Sequence, residues 1–278
     1  MSRSLHAKSP LRGLLIDLDG TLYHGSRMID GADRLIRYLR GRGLPYLFVT
    51  NNSSATPETV AERLNEMGIP AVPQEVCTSA QAAARYAARR KPGGGAYVVG
   101  ESGLCRALEE AGLRLAEPDG EMPDFVIQGI DRFMTYEKLA HAVRFIRAGA
   151  EFVLTNPDVL LPSEGGLMPG AGSIGALLQT ASGVKPTVIG KPSAILMSYA
   201  LERLALGASE TWVVGDNPAT DIAAAAAAGC PSALVLTGLA RRDSFRQLLE
   251  KANCEADEIF DDLHTLLAYI KDKMELHA

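Results

Sequence analysis

Short apolar runs alternate with segments of helical periodicity along nearly the whole chain. The runs that indicate buried strands cover residues 13–16, 46–49, 97–99, 125–127, 152–154, 212–214 and 233–236. Between two of them, Leu35, Ile36 and Leu39 recur at helical spacing, and Thr56 followed by Pro57 is typical of a helix start. This alternation predicts an α/β fold with a doubly wound, mostly parallel sheet and helices on both faces.

One long stretch without charge, residues 222–240, needs separate treatment. It is interrupted by Gly229-Cys230-Pro231 and by Gly238, and its first part is mostly alanine, which is only weakly lipophilic. We expect a helix, a turn and a buried strand here rather than a membrane span. Residues 1–10 are polar and lack the apolar run of a signal peptide, so we expect a cytoplasmic protein.

Length and charge narrow the classes of function. The 278 residues are nearly twice the ~150 of a typical domain, which favours two domains. Lys and Arg number 28 against 33 Asp and Glu, so the formal charge is −5. Without a long basic run, this charge argues against a nucleic-acid or anionic-membrane partner. The four cysteines are widely scattered and indicate neither a zinc site nor a disulfide framework.

The candidate chemistry follows the predicted strands, because ligands of such sheets bind beyond the carboxyl ends of the strands. Asp17 and Asp19 directly follow the first strand, and two such close carboxylates resist joint ionisation unless a cation neutralises them. Hard oxygen ligands suit Mg²⁺, so we expect a magnesium site here. The other polar segments at strand ends or helix starts are Thr50-Asn51-Asn52-Ser53, Gly190-Lys191-Pro192-Ser193 and Gly215-Asp216-Asn217-Pro218-Ala219-Thr220-Asp221.

Taken together and in this order, these segments resemble the motifs of the haloacid dehalogenase-like (HAD) superfamily of aspartate-nucleophile phosphohydrolases. The matching motifs are Asp17-x-Asp19-Gly20-Thr21, then Thr50, then Lys191, then Gly215-Asp216 with Asp221. The chain is most similar to the NagD-like, 4-nitrophenylphosphatase-like branch. The signatures of that branch are matched by Thr50-Asn51-Asn52 and by Thr155-Asn156-Pro157-Asp158 followed by Pro169-Gly170. The resemblance implies a HAD-like core with an inserted α/β cap domain.

The resemblance also implies a role for each carboxylate of the first and last motifs. Asp17 would be the nucleophile that attacks phosphorus, forming an aspartyl-phosphate intermediate. Asp19 would be the general acid for the leaving oxygen and then the base that activates water. The implied protein ligands of Mg²⁺ are Asp17, Asp216 and Asp19, the last through its backbone carbonyl only.

The remaining motif residues would bind substrate or support the ligands. Thr50, Asn51 and Asn52 would hold the phosphoryl oxygens, and Lys191 would offset their negative charge. Asp221, with Asn217, would lie behind the metal ligands, where Asp221 would orient Asp216.

The domain boundaries follow from the separation of Thr50 and Lys191 in the chain. If both contact one phosphate, the chain between them must leave the core and return. We predict a core of residues 1–78 plus 184–278 and a cap of residues 79–183. Asn156, Asp158 and the 164–170 loop are candidates for the inner surface of the cap. Since the family often associates through the cap, a homodimer is one expected assembly.

The predicted function is a magnesium-dependent phosphomonoesterase that acts on small phosphorylated metabolites and on 4-nitrophenyl phosphate. Phosphoglycolate, glycerol phosphate, sugar phosphates and nucleoside monophosphates all remain open as substrates. Two alternatives are a phosphotransferase or phosphomutase on the same fold, and a non-catalytic phosphoprotein similar to a receiver domain. The order of the motifs and the length of the chain argue against the receiver.

Overall fold

The computed structural model describes residues 10–163 and 166–275, so Glu164 of the predicted cap loop and the N-terminal residues 1–9 lie outside the described part. The described chain divides into two units. The first comprises residues 10–50, 57–77 and 191–275, and the second comprises residues 51–56, 78–163 and 166–190. The predicted insertion covered residues 79–183. The second unit continues to Gly190 because the strand Thr187–Val188 pairs within its sheet.

Within the described residues, the chain forms fifteen strands and ten α-helices. The strands are β1 Gly13–Ile16, β2 Tyr23–His24, β3 Arg27–Met28, β4 Tyr46–Thr50, β5 Val76–Thr78, β6 Gly95–Val99, β7 Arg114–Leu115, β8 Phe125–Gln128, β9 Glu151–Leu154, β10 Leu160–Ser163, β11 Gly166–Pro169, β12 Thr187–Val188, β13 Thr211–Gly215, β14 Ser232–Val235 and β15 Glu258–Phe260. The helices are α1 Ala32–Gly41, α2 Pro57–Glu66, α3 Ser79–Arg90, α4 Ser102–Glu110, α5 Tyr136–Arg147, α6 Ala171–Ser182, α7 Ala194–Leu204, α8 Ala223–Ala228, α9 Phe245–Ala252 and α10 Leu263–Glu275.

The first unit is built on a six-stranded sheet with the order β15-β14-β13-β1-β4-β5. Strand β1 is central and parallel to both neighbours, with Leu15 opposite Val213 on one side and Leu47 on the other. All four residues of β1 are buried, as expected for a strand covered by helices on both faces. Because β1, β4 and β13 run in parallel, their carboxyl ends lie at one edge of the sheet.

The second unit has its own five-stranded sheet, with the order β12-β9-β8-β6-β7 and parallel pairing throughout. Its core includes Val126 and Phe152 from the sheet and Leu178 from α6, all buried. The antiparallel hairpin β10–β11 belongs to this unit. A second hairpin, β2–β3, follows β1 in the first unit.

The predicted fold class is confirmed, and all seven predicted strands are present as β1, β4, β6, β8, β9, β13 and β14. Residues 222–240 contain α8, a turn at Gly229 and the buried strand β14, as expected. No helix in the described ranges has the length and apolar character needed to cross a bilayer.

Candidate active site

Two aspartates of the predicted site emerge side by side from the central strands of the first unit. Asp17 follows β1, and its N–H donates to the Val214 carbonyl on β13 (2.9 Å). Asp216 follows β13 directly. Parallel pairing of β1 with β13 therefore fixes both carboxylates at the carboxyl edge of the sheet, as the sequence predicted.

Lys191 joins the first aspartate to a third one. Its side chain is 3 % exposed, and its ammonium group pairs with both Asp17 and Asp221, the second contact measuring 2.6 Å from Nζ to Oδ1. Burial alone would lower the pKa of Lys191, but the charges of Asp17 and Asp221 and their hydrogen bonds raise it above its ordinary value. Lys191 is therefore a fixed positive charge at neutral pH.

Asp216 is held by the loop that follows β14. The Leu239 N–H donates to its Oδ2 (2.6 Å), and the Thr21 hydroxyl lies 3.4 Å from its Oδ1 and 3.2 Å from Asp17 Oδ2. Two glycines make room for this carboxylate, since a Cβ on Gly20 would lie 2.4 Å from Asp216 Oδ2 and one on Gly238 would lie 2.1 Å from it. Gly20 also has a φ of +87°, which favours glycine.

Carboxylate oxygens of Asp17, Asp216 and Asp221 lie within 4.8 Å of one another. With the Lys191 ammonium, the cluster carries a formal charge of −3 + 1 = −2. Burial raises the pKa of Asp216 above its ordinary value, and the neighbouring carboxylate charges add a smaller rise. Burial also raises the pKa of Asp221, although the charge of Lys191 opposes the rise. A buried cluster of hard oxygen donors with this excess negative charge fits a divalent cation such as Mg²⁺.

Asp221 differs in its contacts from what the resemblance implied. Its two oxygens accept from Lys191 Nζ and from the Asn217 N–H (3.1 Å), so its contacts orient Lys191 and the Asn217 backbone. The Asn217 side chain accepts from the Ala219 N–H (3.0 Å) and thereby caps the helical turn Pro218–Ile222. Asp221 therefore supports Lys191, and Asn217 supports the turn that contains Asp221. Their predicted roles stay predictions.

Asp19 lies apart from this cluster on the segment that leads into the β2–β3 hairpin. The residue is exposed, yet the protein around its carboxylate still desolvates it and raises its pKa above the ordinary value. The negative charge of Asp17 adds to this rise, whereas His24, Arg63 and the Gly25 N–H oppose it. A carboxyl group with a raised pKa suits proton transfer. The Asp19 side chain is not one of the three whose oxygens cluster in the described residues.

The three residues predicted to hold the phosphoryl group fall in different environments. Thr50 is the last residue of β4 in the first unit, at the same sheet edge as Asp17. Asn51 belongs to the second unit, where its side chain donates to Asp158 Oδ2 (3.2 Å). The Asn52 side chain accepts from the N–H groups of Ser54 (2.8 Å) and Ala55, forming a turn. Substrate binding by these residues stays a prediction.

The candidate cap residues Asn156 and Asp158 fix the start of the second unit. Asn156 is buried, and its Nδ2 donates to the Asn51 carbonyl (2.8 Å), which also accepts from the Ser79 hydroxyl (2.6 Å). Asn156 Oδ1 accepts from the Asp158 N–H (3.1 Å). These contacts order the polar cluster around Asn51, and a role in substrate selection stays a prediction.

Sequence reasoning missed the loop after β14, although it supplies part of the site. Leu239 binds Asp216, and the Thr237 hydroxyl donates to the Gly20 carbonyl (2.8 Å). His24 Nε2 lies 2.7 Å from the Thr237 carbonyl. The signal was available: Thr237-Gly238 directly follows a predicted strand, at the edge where the other motifs were sought.

A doubly wound sheet with an aspartate after its central strand, a second after the neighbouring strand and a buried lysine between carboxylates defines the class of HAD-fold hydrolases. Residues 14–114 match the family model described as haloacid dehalogenase-like hydrolase, and residues 188–266 match a HAD-hydrolase-like model. The chain is 46% identical over 248 residues to a 5'-nucleotidase, YutF, of Bacillus subtilis, covering 89% of this chain and 96% of that protein.

Two further relatives agree with this assignment. The chain is 45% identical over 260 residues to an acid sugar phosphatase of Staphylococcus aureus, covering 94% of this chain and 98% of that one. The solved p-nitrophenyl phosphatase of Archaeoglobus fulgidus superposes with a TM-score of 0.88 at 32% identity, covering 94% of this chain and 99% of that chain. The chain therefore belongs to the haloacid dehalogenase-like hydrolase family and is a phosphatase-class enzyme. This confirms the predicted family and removes the non-catalytic alternative.

Proposed function

We propose that this protein is a magnesium-dependent phosphomonoesterase that transfers the phosphoryl group to Asp17 and then to water. The observation that carries the proposal is the environment of Asp17. Its side chain is only 13 % exposed and lies at the carboxyl end of the central strand, where the Lys191 ammonium and the Thr21 hydroxyl hold its two oxygens. These contacts hold the carboxylate in a fixed orientation, as a nucleophile requires.

The first step uses two carboxyl groups in opposite protonation states: Asp17 attacks as a carboxylate, and Asp19 carries the proton. An Asp17 oxygen forms a bond to phosphorus while the bond from phosphorus to the ester oxygen breaks. Asp19, as the acid, gives its proton to the departing ester oxygen. In the second step, Asp19 takes a proton from water, whose oxygen attacks phosphorus and releases Asp17 with inorganic phosphate. The raised pKa of Asp19 supports its part in both steps.

Several groups are needed because the uncatalysed reaction is so slow. Phosphate monoester hydrolysis can require accelerations approaching ~10²¹-fold, or about 29 kcal/mol at about 1.36 kcal/mol per decade. One well-placed donor supplies only about 3–4 kcal/mol. We propose that Asp17 and Asp216 hold the metal ion, with the Asp19 carbonyl, and that Thr50, Asn51, Asn52 and Lys191 hold the phosphoryl oxygens. The bound Mg²⁺ would supply positive charge to the transferring phosphoryl group.

We propose small phosphomonoesters as the substrate class, specifically nucleoside monophosphates and sugar phosphates. The names of two relatives, a 5'-nucleotidase and an acid sugar phosphatase, support these two groups. A free small substrate fits the acidic chain, which has a net charge of −5 and no basic run suited to a nucleic acid. The cytoplasmic location and a homodimer through the second unit are retained as proposals.

The proposal is tested by phosphate release from 4-nitrophenyl phosphate and from a panel of nucleoside and sugar phosphates. Activity should be lost on treatment with EDTA and return with Mg²⁺. Full activity without any divalent ion would overturn the metal assignment. Release of 4-nitrophenol that requires a sugar acceptor and yields a sugar phosphate in place of inorganic phosphate would instead favour a phosphotransferase or phosphomutase.

A further inference from the structure

We propose that Arg63 is a positioning residue for the Asp19 carboxylate, acting through the β2–β3 hairpin. This inference rests on the proposed function, in which Asp19 protonates the leaving group. Arg63 lies on α2, far from Asp19 in the chain, and no motif of the sequence singles it out. Its contacts with the hairpin are what assign it the role.

The hairpin and the segment that bears Asp19 form one hydrogen-bonded structure. The Gly20 N–H donates to the Tyr23 carbonyl (2.8 Å), and the Tyr23 N–H lies 3.3 Å from the Leu18 carbonyl. Asp19 and Tyr23 also form an isolated β-bridge. A displacement of Tyr23 must therefore move the backbone on both sides of Asp19.

Arg63 holds this structure at two points. Its Nη2 donates to the carbonyl of Gly25 at the hairpin turn (2.7 Å), and its guanidinium carbon lies 5.0 Å from the centroid of the Tyr23 ring. Tyr23 is 7% exposed, so its ring is fixed by the surrounding protein on its other sides. A planar guanidinium can make a stacked contact and a directional hydrogen bond at once, which an ammonium group does less well.

The hairpin has a second anchor at His24. His24 Nε2 lies 2.7 Å from the Thr237 carbonyl, in the loop whose next residues accommodate and bind Asp216. With His24 held at the Thr237 carbonyl and the Gly25 carbonyl held by Arg63, the turn has little freedom to swing. Removing Arg63 frees the Gly25 carbonyl and one face of the Tyr23 ring, so the carboxylate of Asp19 should lose its alignment while Asp17 and Lys191 keep theirs.

The test exploits the different leaving groups of two substrates. 4-Nitrophenolate departs as a stable anion and needs little protonation, whereas the alkoxide of glycerol phosphate needs a proton from the acid. Arg63→Met removes the hydrogen bond and the charge but keeps an apolar stem. We expect it to lower kcat/KM for glycerol phosphate by on the order of 10- to 100-fold and to change kcat/KM for 4-nitrophenyl phosphate much less. Equal losses on both substrates, or no loss on either, would overturn the inference.

Three further variants make the result specific. Arg37→Met on α1 removes an exposed arginine of a surface ion pair and should change neither value. Arg63→Lys returns a charged donor without the planar guanidinium, so it should recover part of the lost ratio of kcat/KM for glycerol phosphate to kcat/KM for 4-nitrophenyl phosphate. A ratio as low as that of the Met variant would contradict positioning. In an Asp19→Asn background, Arg63→Met should cause no further loss of the ratio, and an undiminished effect there would show that Arg63 does not act through Asp19.

The same set separates failure of the inference from failure of the proposed function. If Asp19→Asn discriminates between the two leaving groups and Arg63→Met does not, Asp19 is the acid and the inference about Arg63 is wrong. If Asp19→Asn fails to discriminate, the acid role of Asp19 is wrong, and the inference falls with it. Melting temperatures of each variant, measured alongside, show that the fold is retained.

Discussion

Lys191 and Asp221 form an ion pair in which Nζ and Oδ1 lie 2.6 Å apart and both side chains are almost wholly excluded from solvent, at 3 % and 1 % exposure. Asp221 thereby fixes an ammonium group that also contacts Asp17. The site thus has two parts: the Lys191 charge, which Asp221 fixes, and the proposed nucleophile Asp17, which contacts the same ammonium group. Each part gives a measurable consequence.

Replacing Lys191 should damage both stability and activity. Lys191→Met would leave Asp17 and Asp221 without their shared cation, and breaking a buried pair on one side costs about 3–5 kcal/mol. Denaturant unfolding near neutral pH measures this loss. Lys91→Met is the matched control, because Lys91 pairs with Asp124 on the surface with 61% of its side chain exposed, where such pairs contribute about 0–1 kcal/mol. Equal losses in the two variants would contradict the account.

Replacing Asp17 should separate activity from stability. Asp17→Asn keeps the shape of the side chain and leaves Lys191 paired with Asp221, so the melting temperature should change little. Turnover of 4-nitrophenyl phosphate should fall by on the order of 10³-fold or more, because an amide cannot replace the carboxylate nucleophile. Asp33→Asn, which changes a half-buried carboxylate in an ion pair with Arg37, serves as control and should keep full turnover. Substantial activity in purified Asp17→Asn would rule this residue out as the nucleophile.

The metal-free protein should lose stability as the pH rises. Burial raises the pKa of Asp216 and Asp221 in the folded state above their unfolded value, so the folded chain binds more protons than the unfolded chain between these values. The free energy of unfolding therefore falls with rising pH across that interval. Mg²⁺ competes with those protons, so its stabilisation should be larger at higher pH.

Thermal unfolding with and without Mg²⁺ checks this at about pH 5 and about pH 8. The shift in melting temperature caused by Mg²⁺ should be clear at the higher pH and small at the lower one. The same shift at both values, or none at the higher value, would contradict a metal site formed by these carboxylates. Ca²⁺ in place of Mg²⁺ reports whether the cluster distinguishes the two ions.

Adding one carbon at Gly238 should weaken the metal site, because a Cβ there would crowd Asp216 and would also lie 2.6 Å from the Gly20 carbonyl oxygen. A Cβ there would lie 2.1 Å from Asp216 Oδ2, so the carboxylate must move. We expect Gly238→Ala to require a Mg²⁺ concentration on the order of 10-fold higher for half-maximal activity, as is typical when the support of a metal ligand is altered. Gly41→Ala is the control, because a Cβ at that position meets nothing within 4 Å. An unchanged Mg²⁺ requirement in Gly238→Ala would show that Asp216 is not a ligand.

The parallel sheet and its motif-bearing edge could be predicted because fully buried strands leave continuous apolar runs. Strand β1 and strand β13 are buried along their entire length, and both were found. The two-residue strands β7 and β12 and the edge strand β15 were missed because they are too short or too exposed to give such a run. The end of the second unit was placed at residue 183 for the same reason, since β12 gives no signal.

The site was predictable as a set of residue types but not as a set of contacts. The motif order identified Asp17, Lys191 and Asp216 before any coordinates. It could not show that Asp221 binds Lys191, since that contact depends on how the turn Pro218–Ile222 is wound. Nor could it show Arg63 on the Gly25 carbonyl, because a single arginine on an amphipathic helix is ordinarily a solvated side chain.

The central claim is that Asp17 itself carries the phosphoryl group during turnover. Rapid acid quench of the enzyme with a phosphomonoester, followed by tryptic digestion and mass spectrometry, tests it most directly. Asp19→Asn should slow release of the intermediate, and the added phosphoryl mass should then appear on Asp17 within the peptide of residues 13–27. Substrate consumption without any phosphorylated peptide in the unaltered enzyme or in Asp19→Asn would contradict the account. A phosphoryl group found on another residue would contradict it as well.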